Sequence, residues 1–338
     1  GPAKIAIERV NSGLMDGLTW YTEARVIRGS VPGNLLEGAR SIIALGMSYL
    51  VEDSAEIAKG NIGGKVARYA WGKDYHKVIK QRMRELVALL EERLEHTVKA
   101  RFYVDDGPML DRSVAERAGI GWFGKNTNIL TTSHGSWLFL GQIITDLVLE
   151  PDKQLKKSCG ECTRCMPACP TGAIVAPYVL DNSKCISYLT IENRGPIPIE
   201  MRKQMLDWVF GCDICQEVCP VNRKVNYSRE PNFKRGGFKT VDLIGLLYMT
   251  EDEFRDKFKG SALKRAKRVG LQRNACVALG NIKDLESVPA LINTLAHSDS
   301  LVRGHAAWAL GQMGNKASKN ALELAISKED DSWVREEI

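Results

Sequence analysis

Eight of the nine cysteines lie between Cys159 and Cys219, seven of them in two runs whose spacing points to iron–sulfur chemistry. The first run, CGECTRCMPACP from Cys159 to Pro170, spaces its thiols C-x2-C-x2-C-x3-C-P. At that pitch three thiolates grip one 4Fe–4S cluster while the fourth reaches a second cluster. The partner run, CDICQEVCP, supplies Cys212, Cys215 and Cys219, and Val209 stands where its first thiol would fall. Cys185 is the remaining cysteine nearby and restores the count to eight. The crossing pattern then assigns Cys159, Cys162, Cys165 and Cys219 to one cluster, and Cys169, Cys185, Cys212 and Cys215 to the other. Zinc fits less well, because its tetrahedral sites usually come as two separated C-x2-C pairs. Cys276 sits in an Ala-rich stretch and reads as a small buried apolar residue. Two clusters relay electrons but transform no substrate, so the substrate chemistry belongs elsewhere in the chain.

The elements that must position such a relay begin upstream. ARSIIALGMSYL is expected to be a buried strand, and HKVIKQRMRELVALLEERLEH an amphipathic helix with Asp74 as N-cap. RFYV follows as a strand ending on the turn DDGP, and Asp111 is expected to cap a short helix stopped by Gly119. A glycine-rich loop, GIGWFGKNT, then leads into the apolar strand SWLFLGQIITDLVL. Gly119, Gly121 and Gly124 follow a helix and not a strand, which excludes a dinucleotide-binding turn.

Beyond the cysteines, ALGNI at 278–282 recurs as ALGQM at 309–313, and LVR at 301–303 recurs as WVR at 333–335. Helical pairs of this period stack as HEAT-like α-solenoids. The net charge is +6, and RDKFKGSALKRAKRVGLQR, 255–273, holds eight basic residues against one acid. That density is an electrostatic footprint for phosphates, with Lys264, Arg265, Lys267 and Arg268 as the candidate RNA contacts. Trp71, Tyr69 and Tyr75 are candidates for stacking on a flipped base. The longest apolar run, Ile42 to Val51, is too short for a membrane span. The N-terminus lacks signal-peptide order, and Gly1-Pro2 reads as a protease scar. A cytoplasmic location follows, and a reducing cytosol turns clustered thiols into metal or redox sites.

Taken together, ARSIIAL, RYAWGKDYHKV, VDDGPMLDRSVAERAGIGWFGKN, CGECTRCMPACPTGAI, GCDICQEVCP and the repeats after them resemble the epoxyqueuosine reductase family over nearly the whole chain. The resemblance implies an α+β protein in three parts. Residues 1–151 would form a cobalamin-binding catalytic domain like that of reductive dehalogenases, related to the nitroreductase fold. Residues 152–225 would form a ferredoxin-like module with two 4Fe–4S clusters, and 226–338 the basic segment and HEAT-like repeats.

Its implied activity is reduction of epoxyqueuosine to queuosine at the wobble position of a tRNA with a GUN anticodon. Electrons would come from an external flavodoxin- or ferredoxin-type donor, through the clusters, to cobalamin in a monomeric enzyme. The family's proton donor is the Asp of a V-D-x-G motif, which VDDG places at Asp105. Asp106 stands where the family usually has Thr or Ser, and the resemblance leaves it the turn. A carboxyl in a dry pocket could have its pKa raised toward working pH. Arg28, Tyr75, Asp105, Lys125, Asn126, Ser187 and Asp213 become the candidate cobalamin contacts. Asp74-Tyr75-His76 begins the D-x-H-x-x-G cobalt-binding motif, but Ile79 replaces its glycine. The family binds cobalamin without a protein ligand to cobalt. Two other readings remain: a cobalamin-dependent reductase of a small molecule, and a non-enzymatic iron–sulfur carrier. The basic stretch and the repeats argue against the former, and the large first domain against the latter.

Overall fold

The structure is a computed structural model that describes residues 1–52, 62–234 and 238–338. Its chain forms two compact units, each assembled from separate stretches. One contains residues 1–52, 72–183 and 214–235; the other contains 53–71, 184–213 and 236–338. Among the described residues, the strands in chain order are β1 (Ser41–Ser48), β2 (Gly63–Val66), β3 (Ala100–Tyr103), β4 (Trp122–Phe123) and β5 (Ile129–Leu130). They continue with β6 (Leu138–Thr145), β7 (Ile174–Ala176), β8 (Val179–Leu180), β9 (Trp208–Phe210) and β10 (Thr240–Asp242). The first four helices are α1 (Pro2–Asn11), α2 (Glu23–Ser30), α3 (Tyr75–Leu94) and α4 (Asp111–Arg117).

The first unit is organised by an antiparallel sheet of order β1-β6-β3. Ser41 pairs with Thr145 and Ser48 with Leu138, while Tyr103 of β3 lies opposite Gln142. Helix α3 starts as its sequence predicts, with the Asp74 carboxylate accepting the His76 amide. Tyr75, Ile79, Met83 and Val87 form its buried stripe, four residues apart, one turn after another. Gly141 of β6 lets that stripe approach, for a Cβ there would lie 2.2 Å from Met83 Cε.

Two expectations are corrected. β1 is half-buried along most of its length, because it is an edge strand; the fully paired β6 takes the buried position instead. Asp111 is not a cap but the first residue of α4, with Leu110 before it and no side-chain capping bond. The glycine-rich loop also carries a hairpin, β4 with β5, pairing Trp122 with Leu130. The late segment 214–235 closes this unit. Phe233 packs on Phe139, Asn222 Oδ1 accepts the Ser136 amide at 2.8 Å, and Ser228 donates its amide to the Leu50 carbonyl.

In the second unit β2 sits between β10, antiparallel, and β9, parallel. Its helices include the recurring segments. ALGNI ends the helix Lys267–Ile282 and ALGQM ends Ser300–Met313, each closed by a left-handed residue, Lys283 or Gly314. LVR and WVR start helices capped by Asp299 and Asp331. Glycines seat the tryptophans of the next α-helix but one: a Cβ on Gly280 would lie 2.6 Å from the Trp308 ring, and one on Gly304 2.4 Å from Trp333. No helix among the described residues is long and apolar enough to cross a membrane.

Candidate functional site

Strand β3 runs out at Tyr103, and the chain turns through Val104, Asp105 and Asp106 toward α4. Asp105 takes φ = 57°, a left-handed conformation in which Asp is among the better-tolerated non-glycine residues. Asp106 shapes the turn. Its Oδ1 accepts the Val104 amide at 3.0 Å and its other oxygen pairs with Lys80. Burial pushes the Asp106 pKa up, but the Lys80 and Val104 bonds outweigh it and hold the carboxyl below its ordinary value. Helix α2 clamps the same loop from outside. Arg25 donates to the Gly107 carbonyl, and Gly29 meets Pro108 so closely that a Cβ would lie 1.8 Å from its carbonyl oxygen.

The Tyr75 hydroxyl donates to Asp105 Oδ2 at 2.8 Å. Its ring is buried and stacks on Phe139, with centroids 4.2 Å apart and planes 5° from parallel. Tyr75 is therefore a core ring with a hydroxyl on the acid, and not a platform for a base. Asp105 itself is exposed. A more deeply placed carboxyl is that of Asp111, whose Oδ1 is buried. Burial, followed by the nearby Asp105 charge, raises its pKa to about 7. Sequence reading missed it, since an acid at a helix start looks like a cap. No local signal could have found it, because Asp is a favoured cap residue and Leu a poor one.

The cysteine loop of the first unit is held by the GKN segment. Lys125 donates its amide to Cys159 Sγ at 3.4 Å and its ammonium to the Gly160 carbonyl at 2.7 Å. The buried Asn126 amide donates to the Cys215 carbonyl at 3.2 Å. Lys125 and Asn126 thus support the thiol loops directly. All nine cysteines are free thiols. Burial first, then the neighbouring Cys159, Cys219 and Cys162, raises the Cys165 pKa; burial, with Cys159 and Cys162 nearby, does the same to Cys219. Cys165 and Cys219 therefore lie close enough to Cys159 and Cys162 to feel them, although no group of three ligating side chains is gathered in metal-holding geometry among the described residues.

In the second unit Cys185 precedes the helix Ile186–Ile191, in whose first turn Ser187 is half-buried. Asp213 is 2% exposed and accepts the Arg68 amide at 2.7 Å, so it braces the CDIC turn through the backbone. Trp71 is fixed by its indole N–H on the Val66 carbonyl at 2.8 Å and covered by the Arg68 guanidinium, which removes it from base stacking. Tyr69 is half-buried against Phe210. On α2 of the first unit, Arg28 is exposed.

The basic stretch divides on folding. Arg273 is wholly buried and donates to the carbonyls of Leu189, Asn193 and Gly195, so it belongs to the core and to no phosphate footprint. Burial lowers its pKa to about 9. Arg265 makes a two-point contact with Glu192, both bonds at 2.8 Å, and Arg268 reaches Glu251 and Gln272. Among the described residues Lys264 and Lys267 make no ion pair, and Lys267 is exposed. Arg194, which the sequence reading passed over, joins this surface by donating to the carbonyls of Arg265 and Ala266.

Three family models match the chain. One described as "Epoxyqueuosine reductase QueG, DUF1730" covers residues 30–106, a "4Fe-4S double cluster binding domain" covers 158–222, and "HEAT repeats" cover 260–338. The epoxyqueuosine reductase of Bacillus cereus is 36% identical over 322 residues, spanning 94% of this chain and 84% of that one. Among solved structures, an epoxyqueuosine reductase crystallised with an epoxyqueuosine-modified tRNA-Tyr stem loop superposes with a TM-score of 0.92 at 34% identity, covering 99% of this chain and 89% of the other. The Bacillus subtilis enzyme, with its catalytic aspartate loop swung out of the active site, gives 0.91 at 33% identity with the same coverage.

Proposed function

The chain belongs to the epoxyqueuosine reductase family, and from that premise we propose how its own residues carry the reaction. It is an oxidoreductase that reduces epoxyqueuosine to queuosine. The relative crystallised on a modified stem loop supports a tRNA substrate here; the proposed tRNA carries a GUN anticodon. The proposed division of labour follows the chain: catalysis on residues 1–151 in a nitroreductase-like domain, electron relay on 152–225, RNA contact on 226–338. A flavodoxin- or ferredoxin-type donor feeds the relay, and the enzyme works in the cytoplasm as a monomer.

Cys159, Cys162, Cys165 and Cys219 would hold one 4Fe–4S cluster, a fit supported by their mutual electrostatic influence. The spacing gives the other cluster Cys169, Cys185, Cys212 and Cys215. For cobalamin, the exposed Arg28 and the Ser187 hydroxyl are contacts of the right chemistry for corrin amides. Tyr75, Lys125, Asn126 and Asp213 act one step removed, since each already holds the acid or a thiol loop. Bound cobalamin would supply a low-potential cobalt nucleophile toward the epoxide.

Asp105 provides the proton at the oxygen whose bond to carbon breaks. Tyr75 fixes the carboxyl and, once the proton has gone, stabilises the carboxylate left behind by donating to it. The observation that carries this reading is that hydrogen bond, which aims an exposed carboxyl on an otherwise braced turn. Asp105→Asn should bind cobalamin and tRNA normally, keep both clusters, and lose turnover by roughly 100- to 10,000-fold. Asp106→Asn should lose far less, because its role is the turn. Near-normal turnover in Asp105→Asn, measured beside the cobalamin spectrum and tRNA affinity of anaerobically purified protein, would move the acid elsewhere.

A further inference from the structure

Reducing an epoxide to an alkene and water breaks two carbon–oxygen bonds, forms one carbon–carbon π bond, and consumes two electrons and two protons. The electrons come from the enzyme's donor. A single carboxyl delivers one proton at a time and is left as a carboxylate after each delivery. We propose that Asp111 is the second acid of this site, a buried carboxyl that recharges Asp105 with the second proton before the oxygen leaves as water. The proposal rests on the reading of Asp105 as the acid.

Three observations carry it. Asp111 opens α4, six residues after Asp105, and its Oδ1 is buried without a hydrogen-bond partner. Gln142, at the centre of β6, is 0% exposed, and neither atom of its side-chain amide has a partner either. That amide lies against the Asp111 carboxyl, outside good hydrogen-bonding geometry. An orphaned amide in the middle of a sheet is costly, and buried polar groups of this kind call for a functional account. The amide suits a group that changes protonation state. Its carbonyl oxygen accepts from a neutral carboxyl, and its NH2 donates to an ionised one after a half-turn.

The charged surroundings favour the proton-loaded form. Strands β1, β4, β5 and β6, which pack on α4, bring no ionisable side chain. The titratable groups facing Asp111 are Asp105 from the turn, Tyr21 from the segment before α2, and Arg112 on its own helix. Arg112 spends a donor on Thr127 Oγ1 at 3.2 Å and makes no ion pair with Asp111. Burial beside the Asp105 charge therefore dominates, and Asp111 keeps its proton up to about pH 7.

The test separates this inference from the assignment of Asp105. Infrared difference titration of the resting wild-type protein should show the carbonyl band of a neutral carboxyl disappearing near pH 7. Asp111→Asn should lack the band. Asp105→Asn should keep it with a lower midpoint, because the like charge is gone. No such band in wild type at about pH 6 would overturn the buried acid, whatever Asp105 does and whether or not the Asp111 variant folds. In turnover with modified tRNA, Asp111→Asn should reduce kcat roughly 10- to 100-fold at about pH 6, leave KM unchanged, and converge with wild type above about pH 8.5. Asp111→Glu should restore part of the loss. Parallel pH profiles for wild type and Asp111→Asn would refute the relay. Full turnover in Asp105→Asn with the titrating band intact would refute the route through Asp105 alone.

Discussion

Asp105, Asp106 and Asp111 carry the same functional group within seven positions and are set to different tasks by what surrounds them. Asp106 is held ionised by Lys80, Asp105 is aimed by Tyr75, and Asp111 is kept neutral by burial. The last has a consequence for stability. A carboxyl whose folded pKa is raised binds its proton more tightly in the native state. It therefore stabilises the fold below the unfolded value of 3.8, and that contribution is lost as pH rises through about 7. Between about pH 5 and 8.5, wild type should lose on the order of 2 kcal/mol relative to Asp111→Asn; denaturant titrations of both proteins at each pH measure it. Equal losses would mean Asp111 titrates as an ordinary surface carboxylate. At this scale the thiols were legible in the sequence because their ligand pattern is local and spaced along one stretch. Asp111 was not, because its character comes from burial, which arises only once α4 has packed on β6.

Elements were legible where one face decides them. The stripe Tyr75, Ile79, Met83 and Val87 fixes α3, and its N-cap, Asp74, is where the sequence puts it. The helix Lys267–Ile282 was harder, because residues 270–280 are buried all round and the apolar stripe vanishes. Hence Arg273 read as one more surface charge, when it is a core strut for three carbonyls. Of the four candidate phosphate contacts, Arg265 and Arg268 are already paired to carboxylates, which leaves Lys264 and Lys267 as the proposed pair. Lys264→Gln together with Lys267→Gln should weaken tRNA binding and flatten its salt dependence by about 0.7–0.9 in log–log slope for each phosphate no longer neutralised. Arg265→Gln together with Arg268→Gln should change that slope less. The reverse ranking, in binding isotherms at several salt concentrations, would place the phosphates on the arginines.

Chain order and compactness diverge at the scale of the molecule. The resemblance divides the sequence in series, whereas each compact unit gathers three stretches that the other interrupts. The first unit needs residues 214–235 to cover Phe139 and to brace Ser136. Residues 1–151 made alone should therefore melt without a cooperative transition and bind an apolar dye, while residues 1–235 should behave better in both assays. A sharp transition in the shorter piece would show that 214–235 adds little. The ribosome meets the same interruption as a problem of time. Strand β2 leaves the exit tunnel early, yet its antiparallel partner β10 begins at Thr240. At roughly 5–20 residues per second, a nascent strand waits on the order of ten seconds or more before that edge is covered. The order of synthesis thus makes this short strand, more than any part of the catalytic apparatus, the place where a chaperone has most to shield.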